Sequence, residues 1–365
     1  MAFIREKTIS GCSYRYLVEG YREGGKVRHR TLKYLGAAPK LPLNAPIAVV
    51  LFAGGGGVEC GLVEAGIRPV ISVERDPSNP ELSQALTHNN HLNFKPYGGK
   101  VIFQTAQDLA ESFFPNFPIN PDYLITTPVC SSFSRANGGT EQKQDIDAAI
   151  AVAQAISHIK PVWFILENVP AYENSDSWHL IYAALKGEGY QVVAAVLDAA
   201  DYGVPQSRKR FIVKAVKNRK PGLPPKRKPI GWYEVLADLI PDLPASSLLP
   251  AQKKALPEKL VIKPQLEALL IERIGFRDKP QTREPVEPCW TIKKSIFHDQ
   301  RGNSRRRFID IWLADGTVKA LNVEAVARLQ GFPSWYYLPE QVSVAGSILG
   351  YSVPPPLIKS LIEIQ

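Results

Sequence analysis

The stretch Pro121-Asp122-Tyr123-Leu124-Ile125-Thr126-Thr127-Pro128-Val129-Cys130-Ser131-Ser132-Phe133-Ser134-Arg135 decides how this chain is read. Tyr123 to Thr126 is an apolar run of strand length, and Pro128 breaks it. Cys130 follows in a loop of small polar residues that ends at an arginine. In open α/β sheets, ligands bind beyond the carboxyl ends of the strands. A thiol placed there beside a cation is held partly as thiolate, the form that attacks electrophiles. The ordinary reading of a lone cysteine is a small buried hydrophobe, so the rest of the chain has to decide.

Upstream, Ile47 to Ala53 is a continuous apolar strand running into Gly54-Gly55-Gly56-Gly57, and Val58 to Gly66 has the pattern of a helix closed by glycine. Glycines let backbone approach a ligand closely. No GK[ST] follows, which excludes a P-loop, and Glu59 stands where GxGxxG needs its third glycine. A second strand, Pro69 to Val73, delivers Glu74 twenty residues beyond Gly54, a place that suits the hydroxyls of a ribose. The loop therefore fits a nucleoside cofactor without demanding a pyrophosphate. Val101 to Thr105 reads as a third strand, with Asp108 just beyond its end.

Downstream, Gln142 to Ile159 has helical spacing. Val162 to Leu166 is a strand that brings Glu167-Asn168-Val169 to the same sheet edge; a carboxylate after five apolar residues needs a task or a partner. Gln191 to Leu197 and Phe211 to Val216 complete the sheet, with Asp201 to Arg210 between them as a turn presenting arginines.

At 365 residues, 45% hydrophobic and 22% charged, the chain can bury a large core and is expected to hold two domains. No apolar run approaches bilayer length and no apolar signal core opens the chain, which predicts a soluble, cytoplasmic protein. Cys12, Cys60, Cys130 and Cys289 form no CxxC pair, against both a disulfide framework and a zinc site. His88 and His91 suit an ordinary helix face.

The net charge of +9 is uneven. Residues 1–40 carry nine Lys/Arg against three Glu; Lys217, Arg219, Lys220, Lys226, Arg227 and Lys228 form an acid-free run; Arg301, Arg305, Arg306 and Arg307 form a third cluster. Together they point to a polyanionic partner, DNA or RNA. Residues 1–36 suit a twisted basic ribbon: Ser13 to Tyr21 alternates, Glu23 to Lys26 turns, and Val27 to Tyr34 returns. A DNA-contacting arm and a merely soluble hairpin both fit it. Ala37 to Pro46 is a linker. From Lys217 to Pro288 prolines are dense and strands few, as in a smaller, less regular domain; Thr291 to Leu321 is basic and strand-like, and Asn322 to Gly331 is a short helix.

In order, the fragments FAGGGG (52–57), ERDP (74–77), PVCSSFS (128–134), ENV (167–169), QSRKR (206–210), ARLQGFP (327–333) and GYSVPPPL (350–357) resemble the cytosine-C5 DNA methyltransferases. The resemblance covers about residues 46–216 and 290–365. It implies a Rossmann-like α/β methyltransferase fold with a smaller target-recognition domain. The units would be a basic N-terminal unit and linker (1–45), a catalytic domain (46–216), a recognition domain (217–340) and a segment returning to the catalytic domain (341–365).

The resemblance also implies S-adenosylmethionine as cofactor, no metal, and double-stranded DNA as partner of a monomeric, nucleoid-associated bacterial enzyme. In enzymes like this, Cys130 adds to cytosine C6, Glu167 acts at N3, and Arg210 with Arg208 holds O2 and orders the catalytic loop; the base is flipped out of the duplex. Phe52, Ala53, Gly54, Gly55, Gly56, Gly57, Glu74, Arg75, Asp108, Leu109, Thr127, Val129, Tyr351 and Val353 are the implied cofactor residues. With a short recognition domain, the N-terminal unit is expected to help hold DNA. The same chemistry on tRNA, or a catalytically silent nucleic-acid-binding protein of this fold, are the alternatives.

Departures from the family pattern are Val50 for an aspartate, Arg75 for an aromatic, Val129 for a proline, Ser131 for a glutamine and Tyr351 for an asparagine. They bear on cofactor contacts and loop rigidity rather than on the catalytic set.

Overall fold

The computed structural model describes residues 2–9, 12–129, 131–133, 140–255, 267–273, 280–294, 296–297 and 309–363. Cys130, Arg135 and the arginines at 301 and 305–307 lie outside the described residues.

Strands β1 (Ala2–Ile9), β2 (Cys12–Glu23) and β3 (Lys26–Ala38) form an antiparallel sheet in that order. Gly24 and Gly25 both take positive φ, as a two-residue hairpin turn requires. The sequence pattern starts at Ser13, and β1 is an addition to it, because Arg5, Glu6 and Lys7 hide its alternation.

The central sheet holds β4 (Ile47–Leu51), β5 (Arg68–Val73), β6 (Lys100–Ile102), β7 (Tyr123–Thr126), β8 (Trp163–Asn168), β9 (Tyr190–Asp198) and β10 (Lys209–Lys217). Their order is β6-β5-β4-β7-β8-β10-β9, parallel from β6 to β8, with β10 antiparallel to both its neighbours. Alternate residues feed two cores. Val49, Leu51, Leu124, Phe164 and Leu166 pack under α3 (Ala106–Glu111), α4 (Lys143–Ile159) and α5 (Asp176–Gly187), whereas Ala48, Val50, Tyr123, Ile125 and Ile165 pack against α1 (Gly57–Glu64) and α10 (Pro355–Glu363). Val50 is wholly buried in the second core. The chain leaves β4 toward β5 and returns to β7 on its other side, which opens a crevice at their carboxyl ends.

Strand β8 runs two residues past its expected end. Antiparallel β10 continues beside it and pairs Ile212 with Glu167 and Phe211 with Asn168. The expected arginine turn is also reshaped: Lys209 and Arg210 already belong to β10 and Arg208 is buried.

The remaining helices are α2 (Pro80–Phe94), α6 (Trp232–Leu236), α7 (Pro250–Ala255), α8 (Val323–Gln330) and α9 (Val342–Tyr351). Strands β11 (Ala268–Glu272), β12 (Thr282–Arg283), β13 (Ile309–Leu313) and β14 (Val318–Ala320) form a second antiparallel sheet, ordered β12-β11-β13-β14. The strand-like reading of Thr291 to Leu321 covers β13 and β14, whereas β11 and β12 are missed because they are short and their pairings cross long stretches of chain. Its core joins Trp232, Leu270, Ile311 and Leu329 to Ile348 and Phe94. Asp310, buried there, accepts from Ser246 Oγ and Gln252 Nε2, both at 2.9 Å, and pairs with Arg273 at 3.1 Å.

The basic run after Lys217 is partly used locally. Lys226 pairs with Asp201 at 2.8 Å, Arg227 with Glu363 at 3.5 Å, and Arg219 lies 5.0 Å from the Trp163 ring centre.

Candidate active site

The turn after β4 is fixed by its neighbours. Phe52 takes φ 60°, a left-handed conformation costly for an aromatic residue. Thr127 holds it there, its Oγ donating to the Phe52 carbonyl at 2.7 Å, while Ala53 N–H donates to Val73 O at 2.9 Å. Gly54 N–H donates to Glu74 Oε2 at 2.8 Å, and Ser83 Oγ donates to Glu74 Oε1 at 3.2 Å. Burial raises the Glu74 carboxyl above its ordinary value, and those two bonds oppose the shift.

A Cβ on Gly54 would meet nothing within 4 Å, whereas one on Gly57 would come within 2.5 Å of the Val353 carbonyl and one on Gly55 within 2.6 Å of Ile348. One side of the turn therefore faces open space, and the other is clamped by the returning C-terminal segment.

The open side is a cleft of about 250 Å³. Phe52, Ala53, Gly54, Gly55, Gly57, Glu74 and Arg75 line it from β4 and β5, and Thr127 and Val129 from β7. Glu167, Arg208 and Arg210 line it from β8 and β10, and Tyr351 and Val353 from the end of α9. Three expected residues stand off this wall. Gly56 turns toward Phe94, at φ 102°. Asp108 forms the capping box of α3 with Thr105, and Leu109 is buried in the sheet core. The cleft adds Asp76 and Asn79 from the loop before α2 and Leu82, Ser83 and Leu86 from α2 itself; the helix residues carry no local mark because a helix contributes to a site only through tertiary packing.

Arg75, where an aromatic is common, pairs with Asp108 at 3.7 Å and lies 5.7 Å from the Phe103 ring centre. Tyr351 is 50% exposed, with Lys294 Nζ 5.3 Å from its ring centre.

Opposite the glycine turn, Glu167 Oε1 pairs with Arg210 Nε at 2.8 Å, their side chains 8% and 13% exposed. Asn168 Nδ2 donates to Pro128 O at 3.1 Å, tying the strand that carries Glu167 to the loop that precedes Cys130. Cys130 itself lies outside the described residues. Arg208 is buried and donates to the carbonyls of Ile292 at 2.9 Å and Gly350 at 3.3 Å, so it spans three segments at the cleft floor. Gln206 accepts from Ile292 N–H at 2.9 Å and bonds Gln330, whose Nε2 donates to Ser352 O at 2.9 Å. The glutamines of QSRKR and ARLQGFP thus join the end of α8 to Ser352 on the wall of the cleft.

Glu59 lies fully buried behind the glycine turn, accepting from Ser72 Oγ at 2.7 Å and Asn90 Nδ2 at 2.9 Å. Burial pushes its carboxyl up to about 7, those hydrogen bonds opposing. The folded chain holds this proton more tightly than the unfolded one. The contribution is therefore complete below the unfolded value of 4.5 and is lost as pH rises through about 7, amounting to about 3 kcal/mol at most. Glu59→Gln keeps the hydrogen-bond acceptor and removes the titration. Thermal melts from pH 5 to pH 8 are expected to show the wild type losing stability relative to the variant; parallel curves would refute the assignment.

Among the described residues no cluster of three or more His, Cys, Asp or Glu is placed to hold a metal, and no helix is long and apolar enough to cross a membrane.

A mostly parallel, doubly covered sheet with a glycine turn and an acidic residue at adjacent strand ends defines a Rossmann-like methyltransferase fold. Residues 48–364 match the family of C-5 cytosine-specific DNA methylases, and the chain belongs to it. Residues 4–46 separately match the N-terminal domain of IS1634 family transposases. The type II methyltransferase M.AplI of Arthrospira platensis is 27% identical over 335 residues, covering 88% of this chain and 87% of its own length.

Among solved structures, a protein described as a DNA modification methyltransferase encoded within an E. coli prophage is similar at TM-score 0.60 and 19% identity. That likeness covers 87% of this chain and 98% of that one. The S. pombe Dnmt2 methyltransferase follows at TM-score 0.55 and 16% identity, covering 87% and 96%. Membership of the family implies use of S-adenosylmethionine.

Proposed function

We propose that this protein methylates C5 of cytosine in duplex DNA, with residues 46–216 and 341–365 catalytic and 217–340 gripping the target. The observation that carries the reading is a single cleft bounded on one side by the glycine turn with Glu74. Its other side holds the Glu167–Arg210 pair and the loop leading to Cys130.

The residues fit the cofactor. Space beside Gly54 admits a ligand against bare backbone, and the Glu74 carboxylate suits ribose hydroxyls. Bound S-adenosylmethionine would supply the methyl group, held by the Phe52–Gly55 turn, Glu74 and Arg75.

The chain's own groups prepare the cytosine. The Cys130 thiolate forms a bond to C6, and the C5=C6 electron pair moves toward C5, making that carbon nucleophilic. A proton shared between the Glu167 carboxyl and N3 offsets the negative charge that accumulates on the ring. Arg210, aligned by its pair with Glu167, would hold O2. Arg208, through Ile292 and Gly350, fixes the floor on which these groups sit. The C5 proton then passes to water, and the electron pair it leaves re-forms the C5=C6 bond and expels the Cys130 thiolate, which restores the ring and frees the enzyme. Reaching the base requires its extrusion from the duplex.

Transfer of radiolabelled methyl groups to duplex DNA and to tRNA tests the reading. Label is expected in DNA, at positions that bisulfite sequencing maps to cytosine. Label confined to tRNA, or in neither, would overturn it.

A further inference from the structure

We propose that the β2–β3 hairpin is a second DNA-contacting surface, which binds duplex phosphates away from the catalytic cleft and without reading sequence. Its choice of polyanion rests on the proposed substrate being DNA.

One end of the ribbon is anchored. Arg15 is 0% exposed, its guanidinium 4.6 Å from the ring centres of both Tyr97 and Trp335, and its Nε pairs with Glu6 at 2.9 Å. Leu17, Val18, Leu35 and Ala38 are buried around it. The other end projects, because every residue from Tyr21 to Tyr34 is exposed. Strand β1 pairs with β2 only as far as Ala2 opposite Glu19, so the ribbon beyond is two-stranded for about 15 Å. A bare two-stranded hairpin is marginally stable, and here its base is held.

The charge matches a phosphate polymer. Residues 1–40 supply nine Lys/Arg against three Glu, a net +6 within a chain of net +9. Glu6, Glu19 and Glu23 are each ion-paired to an arginine. Among the described residues no ion pair forms at Arg22, Lys26 or Lys33. Arg22, opposite Val27, lies on one face of the hairpin, while Lys26, opposite Glu23, and Lys33, opposite Leu17, lie on the other, so the cations occupy both faces. A two-stranded ribbon enters the wide major groove of B-form DNA, whereas the major groove of an RNA helix is too narrow for it. The segment is also a unit in its own right, matched separately from the methylase portion.

The test uses the full chain carrying Arg22→Gln, Lys26→Gln and Lys33→Gln, with a thermal melt to verify folding. Binding to a duplex of arbitrary sequence is measured across a salt series. The slope of log affinity against log salt is expected to become shallower by about 2 to 3, with affinity about tenfold lower or more at 0.1 M salt. The charge-preserving variant Arg22→Lys, Lys26→Arg, Lys33→Arg should bind as wild type does. Methyl transfer by the neutralised variant at saturating DNA should stay within about twofold of wild type, so binding through the hairpin is scored apart from chemistry in the cleft. An unchanged slope refutes the proposal whatever the affinity, and so does a loss seen with RNA duplex or tRNA but not with DNA.

Discussion

Replacing Cys130 with serine is expected to lower methyl transfer on the order of 10⁴-fold or more while duplex binding survives. A thiol near neutral pH is a few per cent thiolate, whereas a serine hydroxyl is essentially all un-ionised and no general base is assigned to activate it. The sharper readout is covalent. On duplex DNA containing 5-fluorocytosine, the sulfur–C6 bond forms and the methyl group is added, but fluorine at C5 cannot leave as a proton does. The wild type should therefore accumulate an adduct that survives denaturation, and Cys130→Ser should not. The other thiols make this decisive. Cys60 and Cys289 are buried, and burial pushes the Cys60 thiol well up and that of Cys289 to about 12, so neither is a competent nucleophile near neutrality. Cys12 is exposed, but it starts β2 of the N-terminal ribbon. An adduct persisting in Cys130→Ser would shift the nucleophile to that thiol and remove the basis of the proposed reaction.

The sequence discloses those parts of this site that follow an apolar run. Glu74 follows Arg68–Val73 and Glu167 follows the apolar residues Trp163 to Leu166 within β8, and a carboxylate breaking such a run draws notice. Four successive glycines announce a turn, and the tight clamp on Gly55 and Gly57 explains why side chains are excluded there. What cannot be read locally is which distant segment supplies the clamp. Ile348, Ser352 and Val353 reach the turn only because α10 packs on α1, a contact bridging most of the chain. Asp108 misleads for the opposite reason: a polar residue just past a strand can serve the next helix, and this one caps α3 with Thr105. Arg208 likewise carries no local mark of burial; its carbonyl partners at Ile292 and Gly350 lie 84 and 142 residues away. Strands β11 and β12 stay hidden among prolines and charges because they are five and two residues long.

Glu167→Gln is expected to reduce kcat by about 10² to 10⁴, the usual range for a positioned proton donor or acceptor, with smaller changes in DNA and cofactor affinity. The amide keeps the size of the side chain and an oxygen that can accept from Arg210 Nε, so the 2.8 Å contact has a neutral substitute. What it loses is the ability to hold or pass a proton at cytosine N3. Two roles compete for this carboxyl, and the variant separates them. If Glu167 serves only as the ion-pair partner of Arg210, removing its charge leaves a guanidinium in a mostly buried place without its counter-charge. The melting temperature and DNA affinity should then fall while kcat at saturation stays within about tenfold. If it also acts on the ring, kcat at saturation falls beyond tenfold and the loss appears in the chemical step, including slower formation of the 5-fluorocytosine adduct, because charge offset at N3 is needed as sulfur adds to C6. Glu167→Gln with normal adduct formation and full turnover would exclude the carboxyl from the chemistry. The antiparallel pairing of Ile212 with Glu167 would then be a strand contact with no catalytic consequence.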